Sequence, residues 1–203
     1  MKVTADIERP IVKNIILARI FNDIEAIHER LANANLSAYD YLQRSLRSTN
    51  VFDDKEFQRR FNGFYRMRQR KREWYDYFYL TLENVKFDRE ITFEGILRRT
   101  FENMGRVEPS FSSKMLATVR PDMAVYDSYL RDNLSIIVPK QFQRPEIRID
   151  GFIAAYDQLQ ERMLELIGDP RFNELRTRFD LCLPKYSHFT DMKKMDLILW
   201  QMR

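Results

Sequence analysis

Apolar residues recur every three or four positions along most of this chain, and this spacing restricts its fold more than any other feature. An α-helix has about 3.6 residues per turn, so a stripe with this spacing can be buried only if the segment is helical. Residue Pro10 favours a first helical turn, so we predict a helix over residues 10–31. Its apolar stripe comprises Ile11, Val12, Ile15, Ile16, Ile20, Ile24, Ile27 and Leu31.

Polar residues before the other apolar stripes predict where further helices begin. Ser, Thr and Asp side chains can accept a hydrogen bond from a free backbone N–H at a helix start. Gly105 follows an apolar stripe, where a left-handed residue often ends a helix. We expect about nine or ten helices in all. The predicted capping residues are Ser37, Asp53 or Asp54, Thr92, Asp127, Asp150, Asp169 and Thr190.

The segments between these helices contain little that could form a sheet. The only plausible strand, residues 136–138, is too short to build one. The Asn62-Gly63 pair is expected to divide a long helical stretch over residues 54–84. We therefore predict an all-α fold, a globular orthogonal multi-helix assembly, as a single domain over residues 1–203. A two-lobe arrangement with a cleft near residues 110–130 is a variant of this prediction.

Composition limits the environment and chemistry of the protein. The single cysteine, Cys182, excludes an intramolecular disulfide, and no apolar run approaches the roughly 18 residues of a membrane span. We expect a cytoplasmic protein with no membrane contact and no cofactor, and its oligomeric state stays open. The two histidines, His28 and His188, are far apart in sequence, so we predict no metal site. His188 lies in a loop that could border a pocket.

One segment is strongly basic. No acidic residue occurs between Glu56 and Glu73, and the net charge of the chain is +4. Cations placed along a strip can neutralise nucleic-acid phosphates, and neighbouring aromatic residues can stack on bases. The alternative is a solvated helix face beside a packed aromatic face. The candidate nucleic-acid-binding residues are Arg59, Arg60, Arg66, Arg68, Arg70, Lys71 and Arg72.

Three short stretches resemble motifs of the helix-hairpin-helix DNA glycosylases. They are Gly63-Phe64-Tyr65-Arg66-Met67-Arg68, then Ser112-Ser113-Lys114-Met115-Leu116-Ala117, and then Val125-Tyr126-Asp127. In that superfamily, which includes 8-oxoguanine glycosylases, an aromatic helix start precedes a hairpin. A helix with a Lys and an Ala-Ser step follows, and then an apolar-apolar-Asp step. The resemblance covers about residues 55–135 in this order.

The resemblance implies a base-excision activity that cleaves the N-glycosidic bond of a flipped DNA base. Asp127 would stabilise positive charge on the deoxyribose or activate the nucleophile, and Lys114 would be the candidate Schiff-base nucleophile. Tyr126 and His188 are candidate pocket residues. The main alternative is a non-catalytic module on the same scaffold that binds nucleic acid or protein. Two departures from the family's motifs favour this alternative. The segment that corresponds to the hairpin contains no Gly after Gly105, and Lys114 does not lie at the position of the family's lysine.

A third hypothesis is a structural or regulatory helical protein unrelated to glycosylases. Under that hypothesis Asp127 is only a helix cap, and Lys114 is a solvated surface lysine.

Overall fold

The computed structural model describes residues 2–68 and 70–202, and within residues 2–11 it describes the backbone alone. All regular structure in this part of the chain is helical, which confirms the all-α prediction. A short 3-10 helix, Pro184–Tyr186, precedes the last α-helix. The α-helices are α1 (Lys2–Asn22), α2 (Ile24–Ala32), α3 (Leu36–Ser45), α4 (Lys55–Phe64), α5 (Arg72–Val85), α6 (Phe93–Met104), α7 (Pro109–Val119), α8 (Ser128–Asn133), α9 (Pro145–Ile167), α10 (Phe172–Cys182) and α11 (Asp191–Gln201).

The chain forms two compact units. The first unit comprises Met1–Ala34 and Asp122–Arg203, and the second comprises Asn35–Pro121. In the first unit α11 packs against α9, α2 and α8. Nearly all of α11 is buried, and its two buried lysines are paired: Lys193 with Asp196 and Lys194 with Asp180, both at 2.6 Å. Pairing offsets the cost of removing these charges from water.

The second unit has an aromatic core. In this unit α3 packs against α4, and α6 packs against α7. Phe61 lies at the centre, with ring centroids 4.7 Å from Tyr65, 5.3 Å from Phe78 and 5.9 Å from Tyr79. Tilted and edge-on ring pairs add to the stabilisation that burial alone gives. The aromatic residues of α4 and α5 therefore hold these two helices together.

Several predicted caps are confirmed. Asp54, Thr92, Asp127 and Thr190 each accept a hydrogen bond from the backbone N–H three residues ahead. Gly105 follows α6 with φ of 64°, the left-handed conformation expected of a C-cap glycine. No described helix combines the length and apolarity that crossing a bilayer demands.

Other boundaries differ from the predictions. The first helix is interrupted at Asp23, because this residue leaves the helical conformation (φ −105°, ψ 11°). Residue Gly63 stays helical, so α4 ends only at Phe64, and α5 begins at Arg72. The α9 helix begins at Pro145, a favoured first-turn residue, and not at Asp150. Residues 136–138 form no strand.

The predicted starts of the helices α3 and α10 are also wrong. Asn35 occupies the N-cap position of α3, and the Ser37 hydroxyl donates to its side chain at 3.0 Å. Asp169 precedes α10 by three positions and bonds the backbone and side chain of Arg171, so it closes the turn before the helix.

Candidate nucleic-acid interface

The connection between α4 and α5 places basic side chains on the surface of the second unit. Tyr65 and Met67 are buried, whereas Arg66 and Arg68 between and after them are exposed. Arg66 has a left-handed φ of 52°, which turns the chain away from the axis of α4. Met67 is buried directly after this turn, so Arg66 and Arg68 lie exposed on either side of a buried residue.

Hydrogen bonds hold this connection in place. The Met67 N–H donates to the Asn62 carbonyl at 2.9 Å, and the Tyr75 hydroxyl donates to the Met67 carbonyl at 3.1 Å. Tyr75 lies in α5, so its hydroxyl ties the connection to the following helix. Met67, between Arg66 and Arg68, is therefore hydrogen-bonded to both α4 and α5.

The α5 helix begins directly beyond the connection. Lys71 is its N-cap residue and Arg72 its first helical residue, both exposed, and among the described residues no side chain caps this start. Unpaired N–H groups at a helix start favour anions. We call the exposed cations Arg66, Arg68, Lys71 and Arg72 the basic loop. Arg72 also lies 3.6 Å from Asp76, with a side chain that is 91% exposed.

Glu56 neutralises part of the charge of Arg59 and Arg60. Both guanidinium groups donate to the Glu56 carboxylate, at 2.7 Å and 2.6 Å. These hydrogen bonds lower the pKa of Glu56 to about 2. The Arg60 guanidinium also lies 4.3 Å from the centroid of the Tyr41 ring. Both arginines thus have structural partners on or beside α4.

Arg70 is the least exposed of the predicted basic residues. Its guanidinium lies 3.2 Å from Glu108 and 4.8 Å from the centroid of Phe111. Arg106 approaches the other oxygen of the same carboxylate at 3.5 Å. Glu108 thus has two arginines beside it, at the start of α7.

The structure assigns local partners to both candidate catalytic residues. Asp127 accepts a hydrogen bond from the Leu130 N–H at 2.9 Å, as the N-cap of α8. Lys114 lies in α7, with its ammonium nitrogen 5.1 Å from the centroid of the Phe111 ring. Asp127 belongs to the first unit and Lys114 to the second. Their assignment to catalysis stays a prediction.

The two candidate pocket residues both belong to the first unit. Tyr126 is buried, with its ring 6.0 Å from Phe152, and burial raises the pKa of its hydroxyl. His188 is exposed beside Phe189, at 5.0 Å between ring centroids. Within the described residues, no three His, Cys, Asp or Glu side chains are grouped to hold a metal ion.

Sequence analysis did not identify the carboxylates that modulate this surface. Glu56 precedes Arg59 and Arg60 by three and four positions, and this helical spacing is a signal that could have revealed both pairs. Glu108 lies 38 positions from Arg70, and no local pattern indicates that contact. The sequence therefore shows the basic composition of the segment, whereas the contact between Arg70 and Glu108 becomes visible only in the structure.

Comparison with known proteins adds no family assignment. No family model, no curated protein and no solved structure matches the chain.

Proposed function

We propose that the protein binds DNA through the basic loop of its second unit, by contacts to the phosphate backbone. The observation that carries the proposal is the exposure of Arg66, Arg68, Lys71 and Arg72 within seven consecutive positions that contain no acidic residue. Positive side chains that neutralise phosphates release condensed counterions, which is the main source of affinity in non-specific binding.

The local structure supports contact with an extended anion. Hydrogen bonds with Asn62 and Tyr75 hold the backbone of Met67, so the neighbouring Arg66 and Arg68 lose less backbone entropy on binding than they would in a free chain. The start of α5 adds N–H groups that favour a phosphate oxygen. Exposed cations beside a helix start therefore suit a DNA backbone better than they suit a neutral ligand.

Not all predicted basic residues contribute equally under this proposal. Glu56 offsets the charges of Arg59 and Arg60, and Glu108 offsets that of Arg70. An arginine that keeps an acidic partner gains less interaction energy when it contacts a phosphate. Arg60 and Arg70 are also less exposed than the four residues of the basic loop. We therefore assign Arg59, Arg60 and Arg70 a secondary contribution and the exposed basic loop the main one.

The proposal concerns binding and needs no chemical step. It is compatible with the non-catalytic alternative. It is also compatible with the glycosylase hypothesis, in which a base flips out of the duplex after backbone contact. The roles of Asp127 and Lys114 decide between these two forms.

The proposal is tested by titrating a labelled DNA duplex with the protein at low salt in a gel-shift experiment. The double variant Arg66→Glu/Arg68→Glu is compared with the matched control Arg89→Glu/Arg99→Glu. The control also places two glutamates at exposed positions of the second unit and changes the net charge equally. Circular dichroism verifies that both variants remain helical.

We expect a shift for the unchanged protein and for the control, and loss of the shift for Arg66→Glu/Arg68→Glu. Two results contradict the proposal. One is the absence of any shift of the unchanged protein at low salt. The other is an equal weakening by the two double variants, because that would reflect net charge and not the basic loop.

A further inference from the structure

A second surface, in the first unit, has a different chemistry. An open groove of about 880 Å³ runs between residues 137–143 and one face of α9. Its walls are mainly apolar, and Ile137, Ile147 and Val138 are 79%, 45% and 38% exposed. Beside it, Phe142 is 99% exposed. Exposed apolar residues grouped in this way mark interaction surfaces. Contact of such a patch with water is unfavourable in free energy, and a partner that covers the patch removes this contact.

The groove is a built feature of the fold. A Cβ atom at Gly151 would lie 2.7 Å from the Pro139 Cβ, so only glycine lets residues 137–143 approach α9 this closely. The Gln158 side chain also accepts a hydrogen bond from the Ile137 N–H at 3.4 Å. These contacts hold the apolar segment beside the helix, with Ala154 and Ala155 in the floor.

Charge distinguishes one side of the groove. Among the described residues that line it, only Asp157 and Glu161 are charged, and they lie one helical turn apart on α9. Both are exposed. The nearby cations Lys140 and Arg144 do not line the groove. An occupant therefore meets apolar side chains along the groove and two carboxylates at its edge.

We propose that this groove binds an amphipathic helical segment of a partner protein, with apolar residues on one face and Lys or Arg residues beside that face. Apolar side chains at helical spacing would fill the space between Ile137 and Ile147. A cation from the segment would pair with Asp157 or Glu161, which fixes its orientation. This is the helix-in-groove form of recognition. The site lies wholly in the first unit and does not depend on DNA binding.

The probe is a labelled amphipathic peptide of leucine and lysine, about 14 residues or roughly four helical turns long. A peptide with glutamate in place of every lysine is the charge control. Fluorescence anisotropy measures binding of both peptides to the full chain. Two charge-reversed proteins are compared: Asp157→Lys/Glu161→Lys in the groove, and Glu25→Lys/Glu29→Lys on α2. Both pairs are exposed, four residues apart on a helix, and in the same unit.

We expect saturable binding of the lysine peptide and an affinity about tenfold lower for the groove variant, with no such loss for the α2 variant. Exchange of α9 amide hydrogens should slow on binding. Equal affinity for the lysine and glutamate peptides overturns the proposal, and so does equal weakening by both variants. Self-association that Ile137→Lys abolishes also overturns it, because the occupant would then be a second copy of this chain.

Discussion

The guanidinium group of Arg70 lies 3.2 Å from the carboxylate of Glu108, and the two residues are 38 positions apart in sequence. This pair joins the α4–α5 connection to the start of α7. The side chains are only 22% and 12% exposed, so water screens the pair less than it screens a surface ion pair. The Phe111 ring, 4.8 Å from the guanidinium carbon, covers one side of it. Glu108 therefore stabilises the second unit next to the proposed interface.

Replacing Glu108 with Gln tests this role. The neutral amide leaves two guanidinium groups near each other without a balancing charge, so we expect the free energy of unfolding to fall by about 1 kcal/mol. Urea denaturation monitored by circular dichroism measures the change. The matched control is Glu102→Gln at an exposed position of α6, for which we expect a change within roughly 0.5 kcal/mol. Equal effects of the two variants would contradict the assigned role.

Two glycines of the second unit should respond to alanine with opposite signs. Gly105 has φ of 64°, so Gly105→Ala forces a Cβ into the left-handed region and lowers the free energy of unfolding by about 1 kcal/mol. Gly63 lies within α4, and a Cβ there meets nothing within 4 Å. Gly63→Ala should therefore raise the free energy of unfolding by up to about 1 kcal/mol. A destabilised Gly63→Ala protein would disprove the described end of α4.

These two glycines also show what the sequence can and cannot predict. Gly105 follows an apolar stripe, and this local pattern predicted its conformation correctly. Asn62-Gly63 has the composition of a turn, yet packing of Phe61 and Tyr65 in the aromatic core extends α4 through it. The Asp23 break was missed because Ile20, Ile24 and Ile27 continue the helical spacing across it. Patterns of neighbouring residues predicted the helices, whereas contacts distant in sequence decided several of their ends.

The candidate sites also depend partly on patterns of neighbouring residues and partly on contacts between residues distant in sequence. Exposure of Arg66 and Arg68 agrees with the basic composition of their segment. Helical spacing also indicates the pairing of Glu56 with Arg59 and Arg60, but only the structure reveals the pairing of Glu108 with Arg70. The groove of the first unit was not predicted at all. Residues 136–138 have a strand-like composition, but Ile136 is buried whereas Ile137 and Val138 are exposed, next to the close approach of Pro139 to Gly151.

The helix-capping role of Asp127 can be separated from any catalytic role. Asp127→Ala removes the acceptor for the Leu130 N–H and should lower the free energy of unfolding by about 1 kcal/mol. Asparagine caps helices almost as well, so Asp127→Asn should change that free energy by roughly a few tenths of a kcal/mol. Thermal or urea unfolding of both variants checks this order. Equal losses for Asn and Ala would contradict the capping role.

Asp127→Asn then serves as the test of the glycosylase hypothesis, since it retains the fold. DNA duplexes that contain uracil, 8-oxoguanine or alkylated bases are incubated with the protein, and borohydride traps any Schiff base. The hypothesis requires cleavage that Asp127→Asn abolishes and a trapped adduct that Lys114→Ala abolishes. Cleavage that survives Asp127→Asn unchanged would remove Asp127 from the mechanism.

Asp169 should make the stability of the first unit depend on pH in the acidic range. Hydrogen bonds from Arg171, together with the Lys13 ammonium at 3.1 Å, hold the pKa of this carboxyl well below its usual range. A depressed folded-state pKa stabilises the fold above the unfolded value of about 3.9, and the contribution is lost as pH falls through the folded-state value. Asp169→Asn should therefore be less stable than the unchanged protein at neutral pH. The difference should shrink below about pH 4. A difference that is constant with pH would contradict the ion-pair assignment.

The central claim is that the basic loop contacts the phosphates of DNA, and the salt dependence of binding tests it most directly. Four neutralised phosphates predict a slope of about −3.6 in a plot of log affinity against log salt concentration. The variant Arg66→Ala/Arg68→Ala should reduce the slope to about −1.8, because two phosphate contacts are lost. Fluorescence anisotropy with one labelled duplex at several salt concentrations gives both values. A slope that is near zero, or that is unchanged in the variant, would contradict the claim.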